Sequence, residues 1–317
     1  MLMTANKPVH IAAGFIKETQ RRRKYQQVDL EYHADINTLW TYMKPKGVPN
    51  FNLDMIEELH HNFQEIKQHG GSHFYEGDWQ PVDYCVIASR YPGVFNFGGH
   101  LGLFISLIRS RDRDALMHYA KLCVDAIYTR LVNYDSSTVT ISLVQGDALG
   151  GGFEFALSSN IIIAEKGVRM GFPEIIFNLF PGMGAYSFLS RRVGMRMAEQ
   201  MLTTGNTYLA EDLEKMGVID MVVPAGQGEK AVFDLIRKQG KRLNGLRSIY
   251  DCRRHIWPVS YRELINITSL WVDSALKLND KDLHTMTRLV RSQQAQPMQK
   301  IHSIKPARER ILDLVSA

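Results

Sequence analysis

The sequence predicts an α/β fold, and three observations carry that expectation. Strand-like runs alternate with amphipathic helical segments, a glycine-rich turn joins the clearest strand to a helix, and residues from about 226 onward are patterned as helix throughout. With 317 residues and 45% hydrophobic content, the chain is long enough for one large domain or two ordinary ones around a sizeable core.

Taken in order, residues 1–25 are polar and basic with one short apolar patch, and read as an N-terminal appendage. Strands are expected over Val28–His33 and Thr38–Met43. The stretch "PNFNLDMIEELHHNFQEIKQHGG" has the marks of a helix. Asn52 suits the N-cap, Asp54 and Glu57 suit the positive end of the dipole, and Gly70-Gly71 stops it. Its apolar residues Met55, Ile56, Leu59, Phe63 and Ile66 recur at helical spacing, so one face packs on a core. "VDYCVIASR" (82–90) reads as a buried strand ending at a Pro92-Gly93 turn, and an amphipathic helix follows over about 113–133. In "TVTISLV", Val139, Ile141 and Leu143 alternate with Thr140 and Ser142, which is the cleanest strand pattern in the chain. It runs through "QGDALGGGFEFALSS", a glycine-rich turn opening a short helix, into "NIIIAE", another strand. "VIDMVVP" (218–224) is the last strand, and the helical tail forms a second layer or an oligomerisation module. No internal repeat or low-complexity segment interrupts this order.

Composition narrows the function classes. The net charge of +5 is mild, with basic clusters "RRRK" at 21–24, "RSRDR" at 109–113 and "KPARER" at 305–310. Each is either a solvated face or a docking surface for an acidic partner or a phosphate-bearing substrate. No basic stretch is interleaved with stacking aromatics, so nucleic acid is not the expected partner. No apolar run approaches the ~20 residues that span a bilayer. The N-terminus lacks the order of a signal peptide, so the cytoplasm is the expected location. Cys85, Cys123 and Cys252 are odd in number and far apart, which suits neither a disulfide framework nor a compact metal site.

The chemistry concentrates between Leu149 and Gly184. Glu154 and Glu174 sit there in apolar company without an adjacent basic residue, whereas Glu165, beside Lys166 and Gly167, reads as an ordinary turn acid. A buried carboxylate is costly unless it is paired or its pKa rises. Gly150-Gly151-Gly152 lies between a strand and a helix, where unpaired N–H groups point outward. It matches neither G-x-x-x-x-G-K-[ST] nor G-x-G-x-x-G, and a tight turn, a phosphate cradle and an oxyanion hole all remain open readings. A second glycine pair in "FNFGGHLGLF" (95–104) favours the oxyanion hole, which takes one donor from each of two loops. Two carboxylates beside such a hole suit proton transfer next to a thioester carbonyl, and apolar surroundings would keep a proton on one of them near neutrality.

On these residues the chain resembles the crotonase, or enoyl-CoA hydratase, superfamily. The blocks are "FNFGGHL", "QGDALGGGFEFALSSNIIIAE" and "MGFPEIIFNLFPGMGAYSFLSRRVG", followed by "AEQMLTTGNTYLAEDLEKMGVIDMVV", with "PNFNLDMIEELHHNF" as the first long helix. The resemblance implies a crotonase-like spiral of βαβ turns over 26–225. It also implies a C-terminal α-helical region over 226–317 that contributes to the acyl pocket and to oligomerisation, commonly as a trimer. It places the oxyanion donors at the N–H groups of Gly99 and Gly151 and the acid–base pair at Glu154 and Glu174. The N-terminal appendage, "SRYPGVFNFGGHLGLF" and "GFPEIIFNLFPGMGAYSFLSRR" are similar to bacterial diffusible signal factor (DSF) synthases of the RpfF type. His100 departs from the family pattern, standing where many members carry Asp, and reads as a structural histidine.

That second resemblance implies synthesis of a cis-2-unsaturated fatty acid quorum-sensing signal. A 3-hydroxyacyl thioester on the phosphopantetheine of acyl carrier protein would be dehydrated and then hydrolysed, with no metal or organic cofactor. Glu174 would handle the α-carbon proton and Glu154 the β-oxygen. An apolar tunnel would take the tail, with Met170, Phe177, Phe180, Met183, Trp271 and Leu289 as candidates. The alternatives are an enoyl-CoA hydratase or isomerase acting on CoA thioesters, and a regulatory protein whose main role is to bind a signal sensor.

Overall fold

A computed structural model describes residues 24–294. The N-terminal appendage except Lys24 and Tyr25, the 305–310 basic cluster and the end of the C-terminal region lie outside the described residues. The chain opens with an antiparallel pair, β1 (Val28–His33) and β2 (Thr38–Met43). α1 (Leu53–Gln68) follows, and the Asn52 side chain accepts the Met55 N–H at 3.0 Å as its cap. The five apolar residues predicted to face the core are all fully buried. A hairpin of β3 (Ser72–Tyr75) and β4 (Asp78–Pro81) comes next, with Glu76 and Gly77 both at positive φ. The sequence reading does not anticipate it. Its turn carries Glu where Asn or Asp would announce a two-residue hairpin.

The rest of the core is a repeated step. β5 (Tyr84–Ser89) is followed by β6 (Val94–Asn96), α2 (Leu101–Ser110) and α3 (Arg113–Leu131). β7 (Val139–Val144) is followed by β8 (Asp147–Leu149) and α4 (Gly151–Leu157). β9 (Ile161–Glu165) is followed by β10 (Arg169–Gly171), α5 (Ala185–Val193) and α6 (Met195–Thr204). β11 (Thr207–Leu209), α7 (Ala210–Lys215) and β12 (Met221–Val223) close the spiral. The first strand of each step joins a six-stranded sheet of order β1-β2-β5-β7-β9-β12, and the second joins a four-stranded sheet of order β11-β10-β8-β6. Each turn therefore adds one strand to each sheet. The three-residue strands of the smaller sheet escape the sequence reading because a period of two cannot show in so short a run.

Alternation sets the two faces of the large sheet. Trp40, Tyr42, Tyr84 and Val86 pack under α8 (Gly228–Gly240), which contributes Val232 and Ile236. Leu39, Met43, Cys85 and Ile87 face the larger core. α9 (Leu243–Ile256), α10 (Tyr261–Ala275) and α11 (Asp280–Gln294) complete the helical tail. α9 buries none of its residues, whereas α10 and α11 each send apolar side chains into the core.

Candidate active site

β6, β8 and β10 run parallel side by side in the smaller sheet, so their C-terminal ends deliver three loops to one place. These loops carry Gly98-Gly99, Gly150-Gly151 and Pro173-Glu174. The sheet that the sequence reading misses is thus the scaffold that gathers its candidate residues.

The first two loops meet closely. A Cβ on Gly98, whose φ is +85°, would stand 2.6 Å from the Gly151 nitrogen, and one on Gly151 would stand 3.4 Å from the Gly99 nitrogen. Phe51 N–H donates to the Gly98 carbonyl at 2.8 Å, which fixes the first loop against the chain before α1. Neither the Gly99 nor the Gly151 N–H has a hydrogen-bond partner among the described residues. Gly151 is the first residue of α4, where the helix leaves its N–H groups unpaired and the dipole favours negative charge. At the far end of α4, the Ser159 hydroxyl accepts Arg130 Nη2 at 2.6 Å and the Ser159 carbonyl accepts Arg192 Nη2 at 3.1 Å. Two cations therefore anchor the negative end of a helix only seven residues long.

Glu154 lies on the first turn of α4 and is 1% exposed. Its Oε1 accepts the N–H groups of Met183 at 2.7 Å and Ala185 at 2.9 Å, where α5 begins. Burial pushes its pKa up to about 7, and the main-chain N–H bonds oppose that rise. Glu174 sits on a 3₁₀ turn over Pro173–Phe177 and packs its Oε1 against Gly150, where a Cβ would come within 2.1 Å. Glu174 Oε2 is shut off from solvent and has no hydrogen-bond partner among the described residues. Burial raises the Glu174 pKa well above the carboxylate range, and the nearby Glu154 charge raises it further. Burial thus shifts both acids in the same direction, upward. Glu154, whose charged form is held by N–H donors, is the more readily ionised of the two.

The cavity between these groups is lined mainly by apolar side chains. Of the residues named as acyl-pocket candidates, Met183, Trp271, Leu289 and Phe177 line it. Met170 does not: it is fully buried in β10, paired across the sheet with Ala148 and Tyr208, and packs in the core. Phe180 is half-buried and also stays outside the lining. Phe104 and, on α3, Tyr119, Ala120 and Cys123 line the cavity without having been anticipated. Their helical spacing marks a buried face, but periodicity does not tell a face on a core from a face on a cavity. His100 is structural: its Nδ1 accepts the Leu103 N–H at 2.9 Å and caps α2. Glu165 is a correction. It is 7% exposed, with its two carboxylate oxygens accepting the N–H groups of Gly226 and Gly228 ahead of α8, and so is a buried structural acid.

Among the described residues, no cluster of His, Cys, Asp and Glu could hold a metal ion, and no helix is long and apolar enough to cross a membrane. Of the basic clusters, Arg109 in the last turn of α2 and Arg111 just beyond it are exposed, and Arg113 pairs with Asp273.

Two parallel-strand loops with free N–H groups, closed by the buried Glu154 and the part-buried Glu174, define a class. The chain belongs to the enoyl-CoA hydratase/isomerase (crotonase) family, whose pattern it matches over residues 39–245. It is 41% identical over 88 residues to a protein named probable enoyl-CoA hydratase echA8 of Mycobacterium tuberculosis, a match covering 28% of this chain and 34% of that one. The chain thus spans about a third of the length of that relative. The enoyl-CoA hydratase of Bacillus halodurans superposes with a TM-score of 0.68 at 16% identity, over 83% of this chain and 100% of that one. Pseudomonas aeruginosa DspI superposes with a TM-score of 0.63 at 21% identity, over 88% and 100%. The fold is the crotonase spiral with a C-terminal helical region.

Proposed function

We propose that the chain interconverts 3-hydroxyacyl and 2-enoyl thioesters by acid–base catalysis. The observation that carries this reading is the opening of two proton-holding carboxylates and two unpaired glycine N–H groups onto one apolar cavity. In the dehydrating direction, Glu174 takes the α-proton and charge moves onto the thioester oxygen, which accepts from Gly99 and Gly151 N–H. The β-hydroxyl then leaves as water with a proton from Glu154. Hydration is the reverse, starting with Glu174 protonated and Glu154 ionised.

The finer proposal is signal synthesis. A 3-hydroxyacyl group on acyl carrier protein is dehydrated to the cis-2-enoyl thioester, and water then attacks its carbonyl in the same oxyanion site. The C–S bond breaks, the thiol takes up a proton, and a free cis-2-unsaturated fatty acid leaves. The sequence stretches around "FNFGGHLGLF" and "GFPEIIFNLFPGMG" and the apolar cavity support it. A hydratase acting on CoA thioesters is the second reading. The family match supports it, and so do the two N–H bonds to Glu154, which favour the ionised form that water addition requires. In either case the phosphate-bearing arm is substrate. A groove with Lys44, Lys46 and Arg90 in its walls shares Gln293 with the cavity and suits an anionic arm or an acidic carrier. Exposed Ile249, Ile256 and Trp257, on or just beyond α9, support a homo-oligomer, proposed as a trimer.

Mass spectrometry after incubation with 3-hydroxydodecanoyl carrier protein separates the readings. Free cis-2-dodecenoic acid supports the signal synthase. Hydration of trans-2-enoyl-CoA without release of free acid selects the hydratase, and turnover of neither substrate overturns both.

A further inference from the structure

The lining of the cavity differs in exposure from element to element. Ser292 and Gln293 of α11 are partly exposed, and Gln293 also lines the outer groove, so the opening lies at the end of α11. The lining residues on α3, Tyr119, Ala120 and Cys123, are by contrast buried, and Tyr119 lies beside the oxyanion loop through its bond from His100 N–H.

This buried α3 wall is braced. The Tyr119 hydroxyl donates to the Phe51 carbonyl and accepts the His100 N–H at 3.2 Å, so its ring cannot swing away. Phe104 stands edge-on to Tyr119 at 5.3 Å and to Trp271 at 5.0 Å. Behind this wall, α3 packs against α1 and α10, which stops the helix from yielding. Only Ala120 and Cys123, three residues apart on one face of α3, are small enough to leave depth. Cys123 is fully buried, and burial pushes its thiol up to about 12, which keeps it neutral.

We infer that Ala120 and Cys123 form the end wall of the acyl channel and set the longest tail accepted, with the thioester arm entering past Gln293. The inference rests on the thioester reading above for its direction of travel. Each methylene denied burial costs about fourfold in affinity. Leu at position 120 adds three carbons to the wall and displaces two or three methylenes, a penalty of roughly 15–60-fold confined to long tails.

The test compares wild type, Ala120→Leu and Cys123→Ala on a ladder of straight-chain 3-hydroxyacyl thioesters from butanoyl to tetradecanoyl. Ala120→Leu should lower the ratio of kcat/KM for dodecanoyl over butanoyl by roughly 15–60-fold. Cys123→Ala should move the preferred length upward by one carbon. A uniform change at every length, or an unchanged ratio in folded protein, overturns the assignment. Binding of free saturated fatty acids of the same lengths is measured in parallel. If wild type turns over no thioester, the catalytic reading fails, while the affinity ladder still judges the wall. Opposite shifts from the two variants support the wall, and the absence of any length-dependent shift overturns it. Should Ala120→Leu not fold, Cys123→Ala decides alone.

Discussion

Glu154 and Glu165 lie in the same short stretch of chain, and both are buried carboxylates that accept two main-chain N–H groups at the start of a helix. They differ in how those bonds are shared. Glu165 uses one oxygen for Gly226 and the other for Gly228. Glu154 receives Met183 and Ala185 on the same oxygen, and its residue lines the cavity. Glu58 follows the Glu165 pattern, with one oxygen to Gln26 N–H and the other to Gln27 N–H. Glu174 goes further than Glu154, with a shut-in oxygen that has no partner among the described residues. A carboxylate with both oxygens engaged holds the fold together. One with an oxygen to spare can exchange a proton with something else.

The largest expected effects would break this contrast directly. Glu154→Gln and Glu174→Gln should each lower kcat by about 10²–10⁴-fold, whereas Glu165→Gln should leave steady-state turnover close to wild type. Equal losses in all three variants would erase the distinction. Next comes Gly151→Ala, whose Cβ would stand 2.9 Å from Met183 Sδ and crowd the free N–H pair. A loss of about 10²–10³-fold in kcat, with little change in thermal stability, is expected.

Stability should run the other way. Glu165→Ala strands the buried Gly228 N–H and leaves the exposed Gly226 N–H to water, and should cost about 1–3 kcal/mol in urea unfolding. Glu154 contributes the opposite sign. Its folded-state pKa is raised, so the folded form holds a proton that the unfolded chain has released, and stability falls as pH climbs from the ordinary carboxylate value of 4.5 to about 7. Relative to wild type, Glu154→Gln should therefore gain stability across that window, up to about 3 kcal/mol. A thermal-shift series over pH checks this, and a flat difference would show that Glu154 is not protonated in the folded state. The smallest effect belongs to His100→Ala, which removes the cap of α2 and should cost about 1 kcal/mol with turnover nearly intact.

Much of this was legible in the sequence. The caps and periodicity of α1, the alternation in β7 and the two glycine loops follow from local chemistry, and the acids at 154 and 174 stand out because apolar neighbours leave them unexplained. What was not legible is relational. Glu165 looks like a turn acid beside Lys166 because its partners, Gly226 and Gly228, come from the far side of β12. Met170 looks like a pocket residue because it shares a segment with residues that are, yet the pleat of β10 turns it into the core. The α3 wall lies upstream of the glycine loop and carries no motif, so only the packing of α3 against α10 brings Tyr119 and Trp271 to the same cavity.

The cavity draws its lining from Phe97 near one third of the chain to Gln293 near its end. A chain emerging from the ribosome has made both glycine loops and both glutamates long before α10 and α11 are available to close the chamber. Contacts between such distant parts of a sequence form late, because loop closure must come before they give anything back. Until then Trp271 and Leu289 are missing from the lining, and the chamber around the two acids stays open. Closure of the chamber thus waits on α10 and α11, the last of the described helices.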